Sequence, residues 1–475
     1  MKICFILEGS YPHVRGGVSK WVDDMIRSMP EHEFVIWAIG DKEAKRGKYL
    51  VEIPENVTGI QEAFLDTALS QKIRRNRNIN VPSRVKDTLE KLIRCQDPDL
   101  EILLETFSEK AVNPIELFMS EVILDIIKNF CADAYPFAGF TDLFWTVRSM
   151  FLPILYLIGQ DMPKADLYHS CSTGYAGALG ALASIKFQKP LVITEHGIYT
   201  REREEEILRA DWVVPYFKEL WISMFYMFSR FAYNQAQQVT SLFQRAAIIQ
   251  EDLGCPPEKI TVIGNGIRFE DYEQIPVKQP DGWIDIGAIV RIAPIKDIKT
   301  MIYSFSQLKQ QFRKARLHIL GSVNDEEYYE ECLSLIDYLE VKDILFPGHV
   351  NIKDYLAKLD FTFLTSLSEG QPYAILESLA AGRPLVSTDV GSCRELIMGD
   401  ENDRLGSAGF CVTPLHQAEM LEALLLMCES KKEREKMSEV GRQRVKLFYN
   451  IDGMVQAYQS TYQKANELWQ ALASN

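Results

Sequence analysis

The chain has 475 residues, of which 47% are hydrophobic and 25% are charged, as is ordinary for a folded protein of two to three domains. Its formal net charge of −14 comes from 52 basic and 66 acidic residues. Nucleic acids and anionic membranes bind basic surfaces, so the acidity argues against either as the main partner and otherwise favours solubility. An anionic ligand would therefore need a local basic site.

Cysteine and histidine usage gives no sign of a metal site. The nine cysteines are scattered singly from Cys4 to Cys428, without a C-x-x-C pair, and the seven histidines do not cluster. This pattern argues against a disulfide framework or a zinc knuckle and fits a reducing compartment. The single D-x-D sequence, Asp97–Asp99, does not follow a predicted strand, and we interpret it as a loop or a helix cap.

No segment reads as a targeting or membrane sequence. The apolar run at residues 2–7 is shorter than the apolar region of a signal peptide. The most apolar later stretch, residues 150–159, is too short to span a bilayer and contains Pro153. We therefore expect a cytoplasmic protein, which partners could hold at the inner membrane.

The first half of the chain opens with a strand, a turn, a helix and a strand. Residues 2–7 and 34–39 are apolar runs, and residues 17–29 carry an apolar stripe at helical spacing. This order implies a parallel sheet covered by helices. From about 60 to 165 the pattern becomes helical and irregular, which predicts an insertion. Its basic run at 73–78 is interpreted as a solvated face.

Alternation of strands and helices resumes near residue 165 and restarts after residue 283. The segment 277–283 contains Pro and Gly and is the best linker candidate. The sequence thus predicts an α/β protein of two Rossmann-like domains, at 1–278 and 283–450, facing each other across a cleft. A last helix, at 451–475, is expected to pack back on the first domain.

Two carboxylates mark a strand end in the second domain. Glu369 precedes a predicted helix that Pro372 opens, and Glu377 lies within that helix. The helix start would face an electron-rich ligand, and carboxylates accept hydrogen bonds from vicinal sugar hydroxyls. Alternatively, Glu369 is only a helix-start carboxylate and Glu377 a surface residue.

A basic pair follows the first strand of the same domain. Arg291 and Lys296 lie five positions apart on a loop between a strand and a helix. A fixed pair of this kind stabilises the charge that develops on a diphosphate leaving group. The alternative is ordinary surface charge.

The first domain offers weaker signals. Gly16 and Gly17 open a helix, where glycine lets the backbone approach a phosphate closely. His196 stands at a strand end within the sequence TEHG, although a lone histidine is more often structural than catalytic. Neither feature is specific alone.

Together these motifs, with the sequence NGI at 265–267, resemble the retaining glycosyltransferases of family 4, which have a GT-B fold. The resemblance covers most of the chain and keeps the motif order. The sequences FILEGSYPHVRGGVSKWV and ITEHGIYTREREEEI, with the insertion, are most similar to the PelF-like branch. That branch makes an extracellular polysaccharide from UDP-sugars beside an inner-membrane complex.

The resemblance implies a role for each matching residue. Arg291 and Lys296 would hold the diphosphate, Glu377 the ribose, and Glu369 the transferred hexose. His196 would contact the sugar near the reacting carbon. The remaining donor-binding residues would be Gly16, Gly17, His349, Val350, Gly370, Gln371, Pro372 and Tyr373. No metal or other cofactor is implied, because the basic pair neutralises the phosphates.

The chemistry expected from this set is transfer with front-face attack, since no second carboxylate is placed as a nucleophile. Two alternatives remain: a nucleotide-sugar 2-epimerase on the same fold, and a non-catalytic assembly subunit. An epimer accumulating without acceptor would indicate the first, and absence of UDP binding the second.

Overall fold

A computed structural model describes residues 1–70, 79, 81–107 and 112–473, and these residues form two compact units. The first unit contains Met1–Val262 and the chain from Ala457 onward, and the second contains Ile263–Gln456. The basic run predicted at 73–78 lies outside the described residues.

The first unit is built on a parallel sheet. Its strand order in the described chain is β3-β2-β1-β4-β5-β6-β7. The order reverses direction between β1 and β4, and such a reversal opens a crevice beyond the carboxyl ends of the strands. The strands are β1 (Lys2–Glu8), β2 (Glu33–Gly40), β3 (Val57–Phe64), β4 (Leu167–Ser170), β5 (Leu191–Glu195), β6 (Gln238–Ser241) and β7 (Ile260–Val262).

Eleven helices of the described residues accompany this sheet. The predicted stripe of the first helix is confirmed, because Trp21, Val22 and Met25 are fully buried. The helices are α1 (Gly17–Ser28), α2 (Leu65–Ser70), α3 (Ser83–Ile93), α4 (Leu100–Phe107), α5 (Pro114–Phe118), α6 (Glu121–Ala134), α7 (Phe140–Ile158), α8 (Tyr175–Phe187), α9 (Tyr199–Arg209), α10 (Lys218–Gln235) and α11 (Gln244–Asp252).

The helical insertion begins later than the sequence suggests. Residues 57–64, which overlap the predicted start near residue 60, form the edge strand β3. Most of β3 is only half-buried, so its sequence lacks the continuous apolar run that marks the inner strands. The helices α2 to α7 then supply the insertion.

One apolar helix of the insertion is longer than the sequence suggested. The apolar stretch 150–159 belongs to α7, which starts ten residues earlier and is long and apolar enough to cross a bilayer. Buried positions make up 61% of its apolar window, and Val147 and Phe151 are fully enclosed in the core of the first unit. A core helix of a folded domain has these properties too.

The last helix, α20 (Ile451–Ala473), crosses from the second unit into the first. Its Tyr462 hydroxyl lies 2.8 Å from Nδ1 of His169, whose Nε2 lies 2.7 Å from Oγ1 of Thr194. Tyr458 is also buried against Thr194, at 3.2 Å. The helix end is therefore part of the first unit's core and is hydrogen-bonded to β4 and β5.

The second unit has its own parallel sheet, with strand order β10-β9-β8-β11-β12-β13. Here the order reverses between β8 and β11. The strands are β8 (Ile284–Ile289), β9 (Ala315–Leu320), β10 (Ile344–Gly348), β11 (Phe361–Leu364), β12 (Leu385–Thr388) and β13 (Gly409–Val412). The helices are α12 (Glu270–Glu273), α13 (Ile298–Gln311), α14 (Glu326–Tyr338), α15 (Ile352–Leu356), α16 (Tyr373–Ala380), α17 (Cys393–Met398), α18 (Gln417–Glu429) and α19 (Lys431–Phe448).

The boundary between the units lies at Val262/Ile263, before the linker suggested at 277–283. That segment is tied to the second sheet, because Lys278 Nζ bonds the Trp283 carbonyl at 2.7 Å and Asp360 Oδ2 at 3.0 Å. The Pro- and Gly-containing segment is therefore a turn of the second unit that leads into β8, and not the linker between the units.

Candidate functional site

Two loops of the second unit meet at the reversal point of its sheet. The first leaves β8 and carries Arg291 and Lys296, and the second leaves β11 and carries Glu369. Strands β8 and β11 are hydrogen-bonded neighbours, with Phe361 paired to Ile286. The carboxyl ends of adjacent parallel strands lie at one sheet edge, so these two loops are brought together by topology.

Lys296 and Glu369 form a direct ion pair. The distance from Lys296 Nζ to Glu369 Oε1 is 2.5 Å, and the two side chains are only 15% and 10% exposed. The loops that carry them are also linked through their backbones, since the Leu367 amide donates to the Ile295 carbonyl at 2.9 Å. The Thr365 hydroxyl lies 2.9 Å from the Asp297 carbonyl. The loop bonds hold both charged groups in place.

Arg291 lies on the same loop but has a different environment. It is exposed, and its guanidinium makes no hydrogen bond or ion pair within the described part of the chain. Gly321, after β9, packs against the preceding residue: a Cβ there would lie 2.0 Å from the Val290 carbonyl oxygen. Arg291 therefore projects from a tightly held strand end and can reach an anion.

The backbone around Glu369 and Gly370 packs against a second glycine-containing turn, at Gly391 and Ser392. The Ser392 amide donates to the Gly370 carbonyl at 3.0 Å. Gly391 has φ of +55°, and a Cβ there would lie 2.1 Å from the Glu369 carbonyl oxygen. Only glycine fits this position, both for its backbone conformation and for its contact.

Gln371 and Pro372 connect this segment to α16. The Asn265 amide donates to Oε1 of Gln371, and Nδ2 of Asn265 bonds the Gln371 carbonyl at 3.1 Å. The NGI sequence at 265–267 thus acts as a support for the loop. Pro372 stands directly before the helix, as predicted, and Tyr373 is the first helical residue.

Glu377 has a partner that sequence reasoning missed. The Tyr272 hydroxyl donates to its Oε1 at 3.0 Å, from the short helix α12. Tyr272 is 5% exposed, so the bond orients the carboxylate from a fixed position. Nothing in the local sequence pairs these residues, which lie 105 positions apart.

His349 and Val350 follow β10, which lies two strands from β8. His349 is exposed and Val350 half-buried. They share the carboxyl edge of the sheet with Arg291, but the structure records no direct contact between them and the Lys296–Glu369 pair in the described chain.

In the first unit, Gly16 precedes α1 and Gly17 is its first residue. No side chain caps this helix, so its first amides are available to an acceptor. His196 follows β5, and its ring lies 4.8 Å from that of Trp21. Nε2 of His196 is buried without a hydrogen-bond partner in the described residues, and burial lowers the pKa of this imidazole to about 4.

Glu195, the neighbour of His196, is structural. Its carboxylate accepts hydrogen bonds from Tyr233 at 2.5 Å, Gln250 at 2.9 Å, Thr173 at 3.0 Å and the Tyr199 amide at 3.2 Å. Burial raises its pKa, which these bonds oppose. The network fixes the strand end that presents His196.

Across the described residues, no group of three or more His, Cys, Asp or Glu side chains could hold a metal ion. Asp99 caps α4, accepting from the amides of Glu101 and Ile102 at 3.0 and 3.1 Å. Asp97 pairs with Arg230 at 3.0 Å. The interpretation of the D-x-D sequence as a loop and cap is confirmed.

Two Rossmann-like units with these strand orders define a GT-B fold. HepE of Anabaena, solved in complex with UDP, superimposes with a TM-score of 0.62 at 16% identity, over 98% of this chain and 100% of that one. Residues 273–444 match the family described as Glycosyl transferases group 1, and the chain is a glycosyltransferase. Residues 1–258, more than half of the chain, match the Domain of unknown function DUF3492, and the chain belongs to this family.

Curated relatives agree with this class. The MMP alpha-(1->4)-mannosyltransferase of Mycolicibacterium hassiacum is 24% identical over 60% of this chain and 68% of its own length. The capsular polysaccharide biosynthesis glycosyltransferase CapM of Staphylococcus aureus is 24% identical over 70% of this chain and 85% of its own. Three further curated glycosyltransferases match over only 39 to 43% of their length.

Proposed function

We propose that this protein is a retaining, family 4 glycosyltransferase of the PelF-like branch. It moves a hexose from a UDP-sugar to a growing extracellular polysaccharide, on the cytoplasmic side of the membrane and beside an inner-membrane complex. The observation that carries the proposal is the Lys296–Glu369 ion pair at the reversal point of the second sheet. An ammonium and a carboxylate fixed there offer one group for phosphate and one for sugar hydroxyls.

The comparisons support the donor class. HepE, a structural neighbour, was solved with UDP and also with UDP-glucose. CapM acts in capsular polysaccharide biosynthesis by its name, which supports a polysaccharide product. All nine cysteines are free, which supports a reducing compartment.

In the proposed donor complex, Arg291 and Lys296 bind the diphosphate and neutralise the charge that grows as the sugar–phosphate bond breaks. Glu377, oriented by Tyr272, accepts hydrogen bonds from the ribose hydroxyls. Glu369 and the backbone of Gly370–Tyr373 hold the hexose, with His349 and Val350 beside the base. Because Arg291 and Lys296 supply two positive charges, we propose that no metal ion is required.

Transfer proceeds at the anomeric carbon. The bond to the phosphate oxygen breaks, leaving an oxocarbenium-like centre, and the acceptor hydroxyl attacks from the same face. The hydroxyl proton passes to the departing phosphate. Since burial lowers the pKa of His196 to about 4, this imidazole is neutral at pH 7 and serves as a hydrogen-bonding group toward the sugar, not as a proton donor.

Thermal unfolding with a panel of UDP-hexoses and UDP-N-acetylhexosamines tests the donor assignment. A ligand that binds the native state raises its melting temperature by mass action. We expect a shift with UDP and a larger one with the correct UDP-sugar, both weakened in Glu377→Ala. Proton NMR of the product should then show the anomeric configuration of the donor. No shift with any UDP compound, or an inverted product, would contradict the proposal.

A further inference from the structure

Glu202 lies in the first turn of α9, just beyond the strand end that carries His196, and it has no role in the proposed donor site. Its carboxylate packs against Gly197: a Cβ at Gly197 would lie 2.0 Å from Oε1 of Glu202. Gly197 is the residue after His196. The carboxylate therefore lies beside the backbone of the histidine predicted to face the sugar.

This carboxylate is left without a partner where its neighbours are paired. On the same helix, Arg203 bonds Glu206 at 2.6 Å and Arg209 contacts Glu205 at 3.5 Å. Glu202 makes no hydrogen bond or ion pair through its side chain within the described chain. The residue as a whole is exposed, but partial burial raises the pKa of its carboxyl group against the opposing charge of Arg203.

His196, at the same strand end, and two residues of α9 also carry unpaired polar atoms. Nε2 of His196, Oγ1 of Thr200 and Nε of Arg203 are all buried and have no hydrogen-bond partner in the described residues. Buried polar atoms in native proteins are nearly always paired with protein, ordered water or a ligand, so Nε2 of His196 needs a polar partner from outside the described chain. The Glu202 carboxylate supplies a hydrogen-bond acceptor at this strand end, and a sugar hydroxyl can donate to it.

We propose that Glu202 binds the acceptor saccharide, accepting a hydrogen bond from one of its hydroxyl groups beside His196. The inference rests on the proposed glycosyltransferase function and adds a residue of the acceptor site to it. It predicts that loss of Glu202 weakens acceptor binding but leaves donor binding and donor hydrolysis unchanged.

The test compares two reactions of the full chain: hydrolysis of the preferred UDP-sugar by water, and its transfer to a panel of maltotriose, chitotriose and laminaritriose. A hydrogen bond to a charged group corresponds to a factor of about 10 to 100 in binding. We expect Glu202→Ala to raise the acceptor KM by that factor, with donor KM and hydrolysis within about twofold of the wild type, and Glu202→Gln to fall between. Glu205→Gln, on the same helix, is the control and should change neither reaction.

Gly197→Ala provides a second variant, because its new methyl group must displace the Glu202 carboxylate. It should raise the acceptor KM like Glu202→Ala, and the double variant should add nothing further. An unchanged acceptor KM in Glu202→Ala, a raised donor KM, or additive effects would overturn the inference. So would a wild type that hydrolyses the donor yet uses no saccharide of the panel. A wild type without either reaction contradicts the proposed function itself.

Discussion

Lys296 and Glu369 meet at 2.5 Å across the loops that follow two adjacent strands, and each is mostly shielded from solvent. The carboxylate thus neutralises the ammonium group that we assign to the diphosphate. A diphosphate must compete with Glu369 for Lys296, while the sugar attached to it must engage Glu369. The two ligand parts therefore depend on this pair in opposite ways.

Glu369→Gln separates these two effects. The substitution removes a negative charge near the diphosphate and releases Lys296, so calorimetry should show UDP bound several-fold more tightly. Sugar transfer should nevertheless fall by about a hundredfold, the typical loss when one group that stabilises the transition state is removed. Glu331→Gln, which removes the exposed partner of Lys299, is the control. Weaker UDP binding in Glu369→Gln would contradict the competition.

Tyr272→Phe tests the orientation of Glu377. The variant loses the 3.0 Å hydrogen bond from the tyrosine hydroxyl, so the carboxylate is less well fixed for the ribose. Loss of one such bond corresponds to about 1 to 3 kcal/mol, and we expect UDP affinity to fall by about 5- to 150-fold. Tyr303→Phe, on α13, should bind UDP normally. Equal affinity in both variants would mean that Tyr272 does not act through Glu377.

Gly391→Ala tests the support of the Glu369–Gly370 segment. The added Cβ would lie 2.1 Å from the Glu369 carbonyl oxygen, so the segment must shift. We expect transfer to fall more than tenfold, since small displacements of positioning groups have large effects on rate. Gly406→Ala has positive φ as well, at +101°, but open space around it. It serves as the control for backbone strain and should lose stability without a comparable loss of rate.

The sequence predicted the strand ends well, for a physical reason. Inner strands of a parallel sheet are buried on both faces and read as continuous apolar runs, so the loops that follow them are easy to place. Arg291 and Lys296 were located in this way, and both lie on the loop after β8. The ion pair between Lys296 and Glu369 could not be predicted from the sequence, because it depends on β8 and β11 being neighbours in the sheet.

Other features of the fold and the site could not be predicted from the sequence. The edge strand β3 is half-buried and lacks an apolar run, so it was included in the insertion. Tyr272 lies in a four-residue helix whose contact with Glu377 is set by tertiary packing. Glu202 has an ordinary place in a charged helix, and its packing on Gly197, which distinguishes it from Glu205, is visible only in the structure.

Acid should destabilise the protein in part through His196. Burial lowers the folded-state pKa of this imidazole to about 4, below its ordinary value of about 6.5. Between these values the unfolded chain binds a proton that the folded chain does not, so stability falls as the pH drops through this window. Protonation of this one histidine lowers the free energy of unfolding by about 3 kcal/mol at most.

Urea unfolding at pH 7 and pH 4.5 measures this contribution. Between the two pH values, the free energy of unfolding of His196→Gln should fall by about 2 kcal/mol less than that of the wild type. His349→Gln, at an exposed position, should behave like the wild type. A wild-type pH dependence retained in His196→Gln would show that other groups, such as the buried His169, account for it.

The central claim, a UDP-sugar glycosyltransferase whose diphosphate is held by Lys296, is tested most directly by release of UDP. The wild type and Lys296→Ala are incubated with UDP-glucose, UDP-galactose and their N-acetylhexosamine counterparts, with Lys299→Ala as the matched control. We predict that the wild type and Lys299→Ala release UDP from at least one donor, and that Lys296→Ala releases it about a hundredfold more slowly while its circular dichroism is unchanged. No release from any donor, or equal release by Lys296→Ala, would contradict the account.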